Sequence, residues 1–230
     1  MADPERDRIR RTLEEFLGLG LMPHDGADLL QIRRLSAAVD SCIYLDSHMA
    51  DCPHYPSALH LLEASLPLRP ERGLVLEFGV DSGRTINFIA ERVAGTVYGF
   101  DSFDGLPEDW RPDFPLGSFR RSALPEVRDN VVLAVGWFDA TLPDFIRAHP
   151  APVAFLHVDC DLYSSTRTIL HYLRGGITTG TVIVFDEYFN YVGWRHHEYK
   201  AFQEFIAATG LDYRYLGVVP GHQQVAVQIR

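Results

Sequence analysis

What the chain lacks narrows it first. It has three cysteines in 230 residues, Cys42, Cys52 and Cys160. These are too few and too scattered for a disulfide framework or a zinc site, and a reducing cytoplasm is the expected setting. No cluster of Lys and Arg occurs, and the formal net charge is −10. Nucleic acid and anionic membrane are therefore excluded as expected partners. No apolar run is long enough to span a bilayer. The charged stretch 1–11 has no apolar core of the kind a signal peptide carries. Internal repeats and low-complexity segments are absent, and so is the G-x-G-x-x-G of dinucleotide sites. What remains is 47% apolar, enough for a full core in one large α/β domain with a small N-terminal addition.

The chain is organised around residues 73–86. Leu74–Phe78 is a short branched-apolar run that fits a strand buried on both faces of a parallel sheet. Gly79 and Gly83 bracket a tight turn, after which Ile86, Phe88, Ile89 and Val93 recur at helical spacing. Glycine lets backbone approach a ligand, and a helix N-terminus offers unpaired N–H groups. The order Glu77-x-Gly79-x-x-x-Gly83 resembles the first motif of the class I S-adenosylmethionine (SAM) methyltransferases. There the turn cradles the methionine part of SAM and the acid lies near its ammonium group. The alternative for Glu77 is a structural ion pair, since a lone carboxylate in a buried strand needs a partner.

Strands are predicted at 73–79, 96–101, 131–136, 153–159 and 181–187, alternating with helices near 84–93, 139–148, 164–174 and 196–209. This alternation means a mostly parallel sheet with helices on both faces. Residues 213–219 and 223–229, joined through Pro220-Gly221-His222, read as a closing β-hairpin. Amphipathic patterns at 5–20 and 27–45 and a short helix at 57–66 make residues 1–70 a helical cap or lid on a catalytic domain at 71–230. The long, proline-bearing segment 103–128 has the length of a functional loop.

Ligands of a parallel sheet bind at the strand C-termini. Asp101 ends the second strand at the interval where nucleotide-binding units place a ribose-binding acid; a helix-capping or turn role is the alternative. Gly136, Trp137 and Phe138 end the third strand and offer an apolar slot for an adenine. Asp139 either accepts from the adenine amino group or caps the following helix. Asp159, Asp186 and Glu187 converge at the fourth and fifth strand ends; the alternatives are helix N-caps for Asp159 or Asp161 and a turn role for Asp186. Three carboxylates repel unless a cation or protons intervene, and hard oxygen donors favour Mg²⁺ or Mn²⁺.

Taken together, Glu77-Phe-Gly-Val-x-Ser-Gly-Arg-Thr, Gly99-Phe-Asp-Ser-Phe-x-Gly-Leu-Pro, Gly136-Trp-Phe-x-x-Thr-Leu-Pro, Val158-Asp-Cys-Asp-Leu-Tyr-Ser-Ser-Thr and Phe185-Asp-Glu-Tyr resemble the macrocin O-methyltransferase family. Its members are Mg²⁺- and SAM-dependent sugar O-methyltransferases of macrolide-type biosynthesis. The resemblance spans roughly residues 73–215; Glu187 departs from it where Asp is common, and residues 1–70 have no clear match. It implies a Rossmann-like, seven-stranded class I fold whose last strand inserts antiparallel between the fifth and sixth. It implies cofactor contacts at Glu77, Gly79, Ser82, Gly83, Arg84, Thr85, Asp101, Ser102, Gly136, Trp137 and Phe138, and metal ligands at Asp159, Asp186 and Glu187.

The expected reaction is O-methylation of a small-molecule hydroxyl on a sugar or vicinal diol, with association into a homo-oligomer allowed. Catechol O-methyltransferases, which share this logic, place a lysine where this chain has Leu162. Proton acceptors are instead sought in Asp159, His196 and His197, with His48, His54 and Glu198 as further candidates. Two competing readings are a nicotinamide-dependent dehydrogenase, opposed by the missing G-x-G-x-x-G, and a non-catalytic SAM- or metal-binding protein, opposed by the intact acids.

Overall fold

The structure, a computed structural model, describes residues 28–230. The amphipathic pattern at 5–20 lies outside the described residues. Seven strands form one sheet: β1 Leu74–Phe78, β2 Val97–Asp101, β3 Val131–Val135, β4 Val153–Val158, β5 Val182–Phe185, β6 Tyr213–Val218 and β7 Val225–Ile229. Their order is β3-β2-β1-β4-β5-β7-β6. The first five are parallel, and β7 runs antiparallel between β5 and β6. This is the expected seven-stranded fold with its closing hairpin. β4 and β5 are buried along their whole length, which is why they read as unbroken apolar runs rather than alternating ones.

Successive side chains of a strand point to opposite sheet faces, so two cores form. One packs Leu76, Phe78, Phe100 and Leu156 against the helices Phe138–Ala148, Tyr163–Leu173 and Glu198–Thr209. The other packs Val75, Phe155 and Val184 against the helices Ala58–Ser65 and Arg84–Arg92. The sheet grows outward from β1 through β2 to β3, and the chain then crosses back to lay β4 on the other side of β1. That reversal of strand order is the crevice in which such sheets bind ligands.

The helix Leu29–His48 is capped by Asp28, whose Oδ1 accepts from the Leu30 and Gln31 amides at 2.9 and 3.2 Å. It is tied to the segment after β5 and, through the buried Tyr44, to β6. Arg195 pairs with Asp40 through Nε at 2.8 Å, and Ser41 Oγ accepts from the Asn190 amide at 2.9 Å. Tyr44 joins Tyr215, which also meets Tyr188 and Tyr213, in a chain of hydroxyls. The polar segment 46–56 pairs with β6 through Tyr55 N–H to Val218 O at 2.9 Å.

Candidate active site

A cavity of about 580 Å³ opens at the C-terminal ends of β1, β2, β4 and β5. Gly79 forms part of its floor. A Cβ at position 79 would lie 1.6 Å from the Asp159 carbonyl oxygen, and φ there is +88°, so only glycine fits. The glycine turn and the first acid of the β4 end are thus in backbone contact. Gly83 leads the helix Arg84–Arg92 in the left-handed conformation.

Asp101 braces this turn. Its Oδ2 accepts from the Val80 and Asp81 amides at 2.8 and 2.9 Å, and its Oδ1 accepts from the Phe103 amide at 2.7 Å. Asp101 and Ser102 also line the cavity. Asp81, held at a positive φ of 45°, takes a two-pronged ion pair from Arg121, with the NH2–Oδ2 contact at 2.6 Å. That guanidinium holds the Asp81 carboxyl below the usual carboxylate range. Trp137 and Phe138 line the cavity beyond β3. Asp139 is not the helix cap, because the helix already begins at Phe138 with Trp137 in the capping position. It sits in the first turn and lines the cavity.

Glu77 does not line it. It is fully buried, with Oε1 accepting from Thr85 Oγ1 at 3.0 Å and Oε2 2.9 Å from His157 Nδ1. The structural ion pair weighed for Glu77 is therefore the arrangement found. Gly83, Gly136, Ser82, Arg84 and Thr85 also stay out of the lining, Ser82 and Arg84 facing solvent. Loop 103–128 contributes a wall through Leu106, Trp110, Arg111 and Phe114.

At the β4–β5 end, ligand atoms of His157, Asp159 and Asp186 lie within 4.8 Å of one another. His157 sits two residues before Asp159, which directly follows the end of β4, and their ligand atoms come together. The expected acid set thus shifts: His157 joins Asp159 and Asp186, while Glu187 lies outside that group although it lines the cavity. The signal for His157 was present as the one polar side chain in an otherwise apolar strand. Gln224, also missed, comes from the hairpin and donates through Nε2 to Asp186 Oδ2 at 3.0 Å. Neither Asp159 nor Asp161 caps the helix Tyr163–Leu173, whose cap position is Leu162.

The electrostatics are those of an acid cluster. Burial, reinforced by the Asp186 charge, raises the Asp159 carboxyl well above its ordinary value, and burial does the same to Glu187. Burial pushes Asp161 up to about 7 against the pull of Arg111. Burial works against a charged His157, but Asp186 and Glu77 outweigh it and hold the imidazole protonated well above its usual range. Two buried atoms here, His157 Nε2 and Glu187 Oε2, have no hydrogen-bond partner among the described residues. Crowded carboxylates with an orphaned oxygen fit a hard divalent cation.

The histidines considered as bases lie elsewhere. His48 stacks on Tyr44 at 4.1 Å, and His54 bridges to Val218. His196 is exposed; His197 is half-buried beside Trp110 and Tyr191, its pKa lowered by burial and by the neighbouring His196 and Arg111 charges. None lines the cavity. Glu198 is buried beneath it, accepting from the Glu187 amide at 3.0 Å.

Comparison with known proteins agrees with this geometry. Residues 76–188 match the family described as Methyltransferase domain. No curated protein matches the chain. Among solved structures, the calicheamicin methyltransferase CalS11 superposes with a TM-score of 0.58 at 21% identity, over 99% of this chain and 94% of that one. Its apo form, described as a TDP-rhamnose 3′-O-methyltransferase, gives 0.52 at 20%, over 99% and 96%. The O-methyltransferase NovP gives 0.54 at 23%, over 74% of this chain and 78% of that one. At these identities the likeness establishes the fold, and over residues 76–188 the chain is similar to the methyltransferase-domain family.

Proposed function

We propose that the protein transfers the methyl group of SAM to a hydroxyl of a sugar or other diol-bearing small molecule, with a divalent cation held at the β4–β5 end. One observation carries this reading: the glycine turn and the β4–β5 acids Asp159 and Glu187 open into a single cavity, with Gly79 against Asp159. A cofactor at the turn and an acceptor at the acids would then meet within reach of each other. The sugar acceptor is supported by likeness to the CalS11 fold, whose described substrate is TDP-rhamnose. Natural-product or glycan tailoring in the cytoplasm is the proposed setting. Residues 28–70 contribute nothing to the cavity lining; the proposed cap acts by holding the segment after β5 in place through Asp40, Ser41 and Tyr44.

In this reading the turn at 79–83 receives the methionine part, and Asp101, Trp137 and Phe138 frame the adenosine. Asp159 and Asp186, with Glu187 completing the set, would hold Mg²⁺ or Mn²⁺. A bound cation supplies Lewis acidity, lowering the pKa of a hydroxyl it contacts. Gln224 fixes the Asp186 carboxylate, and the His157–Glu77 pair fixes the face below it. Asp159 lines the cavity, and the oxygen of its carboxylate not held by the cation would take the hydroxyl proton. Leu162 is buried and offers no base.

An acceptor screen with SAM and Mg²⁺, read as a mass gain of one methyl group, tests this. Stabilisation by SAM but not NAD separates it from a dehydrogenase. A folded protein that SAM does not stabilise would overturn the reading.

A further inference from the structure

The cavity pairs an aromatic wall with carboxylates, among them Asp159, Asp161 and Glu187 at its β4–β5 end. Among the described residues, the only basic side chain lining it is Arg111. A tight turn in loop 103–128 folds this residue inward: Phe114 N–H donates to Arg111 O at 2.7 Å, and Trp110 N–H to Phe114 O at 3.0 Å. The guanidinium carbon lies 3.8 Å from the Trp110 ring centre, 4.7 Å from Phe114 and 5.2 Å from Tyr191. Aromatic faces satisfy the flat sides of a guanidinium but leave its in-plane N–H fork unused.

That fork lacks an acceptor. Arg111 Nε is buried with no hydrogen-bond partner among the described residues, and so is the indole nitrogen of the adjacent Trp110. Arg111 enters no ion pair among the described residues; Asp161 acts on it only at longer range. Buried donors left unpaired are costly, so two on neighbouring residues mark a place where an acceptor group docks. A rigid planar fork matches the paired oxygens of a carboxylate or phosphate.

Position decides which ligand this is. Arg111 packs on Tyr191, whose hydroxyl donates to the Glu187 carbonyl at 3.3 Å. It therefore belongs to the β4–β5 side, away from the β1–β2 turn where the cofactor is placed. We propose that Arg111 reads an oxyanion on the acceptor, so that the preferred substrate is a hydroxyl compound bearing a phosphate or carboxylate rather than a neutral glycoside. This rests on the methyltransferase reading above, and it adds the acceptor's charge.

The test is equilibrium binding in excess chelator, with and without S-adenosylhomocysteine, of inorganic pyrophosphate, glucuronate and methyl glucoside. Wild-type protein should bind at least one anion tenfold or more tighter than the neutral glucoside. Binding of pyrophosphate alone assigns a phosphate, and of glucuronate alone a carboxylate. Arg111→Gln should lose at least tenfold in anion affinity with methyl glucoside and S-adenosylhomocysteine unchanged; Arg111→Lys, a point charge without the fork, should fall between. Should Arg111→Gln fail to fold, the Arg111→Lys comparison decides. Equal anion affinity in wild type and variant overturns the proposal, as does no anion binding by wild type. A selective loss of S-adenosylhomocysteine binding in the variant also overturns it, moving Arg111 to the cofactor. Absence of S-adenosylhomocysteine binding by wild type would instead count against the methyltransferase reading, leaving the anion result standing.

Discussion

Glu77 on β1 and His157 on β4 are register partners across the parallel pair, both wholly buried, with Oε2 and Nδ1 2.9 Å apart. Replacing His157 by Leu strands a buried carboxylate. The expected cost is about 3–5 kcal/mol in metal-free protein, measured by urea unfolding. The double variant Glu77→Leu/His157→Leu should cost clearly less than the sum of the single changes. Strict additivity would show that the two groups do not support each other.

The acid cluster sets a metal prediction. Chelator should abolish methyl transfer, and Mg²⁺ or Mn²⁺ should restore it. Asp159→Ala and Asp186→Ala should lose activity while still binding SAM, since neither is placed on the adenosine. Metal-free Asp159→Ala should melt no lower than wild type, because removing one acid relieves its repulsion with Asp186. Full turnover by protein assayed as metal-free would sink this assignment.

Asp101 has two tasks on the page, bracing the turn and lining the cavity. Asp101→Ala should weaken SAM binding by about tenfold or more, because charge-assisted hydrogen bonds are worth about 1.5–3 kcal/mol each. Asp101→Asn retains one acceptor oxygen for three amides and should lose part of that affinity. Calorimetry on the two variants orders them; equal affinity in all three proteins would remove Asp101 from the site.

The Asp40–Arg195 pair makes a small pH-dependent contribution. Arg195 holds the Asp40 carboxyl below its ordinary value. Stability gained from a depressed acid is present above the unfolded value of 3.8 and is lost as pH falls through the folded value. The pair is largely exposed, so Asp40→Asn should cost under about 1 kcal/mol at pH 7. That difference should shrink as pH falls below 3.8, as read by paired thermal melts. A deficit persisting there would mean the cost is not electrostatic.

Much of the fold was legible because its signals are local. The apolar runs of β4 and β5, the glycines at 79 and 83, and the Pro220-Gly221 turn each announce their element within a few residues. The hairpin strands are shorter than expected at the turn, where Val219 and Gln224 pair as loop backbone. The site was legible only where the sheet edge dictates position, as for Asp101, Asp159 and Asp186. The partner of Glu77 lies 80 residues away and follows from strand register, which spacing cannot supply. His157 and Gln224 were missed for the same reason. His196 and His197 read as bases by proximity in sequence to β5, yet the short 3-10 turn Trp194–His196 carries them past the cavity.

The contact between Gly79 and the Asp159 carbonyl also governs how this scaffold can change. A side chain at position 79 would displace the acid with it, so cofactor turn and acid cluster can drift only as one unit. The opposite wall comes from loop 103–128, where Leu116 and Phe119 stand exposed and no sheet register constrains length. New acceptors are therefore reached by rewriting that loop while the sheet edge stays untouched, and a randomised library confined to residues 108–119 samples specificity without disturbing the strand ends.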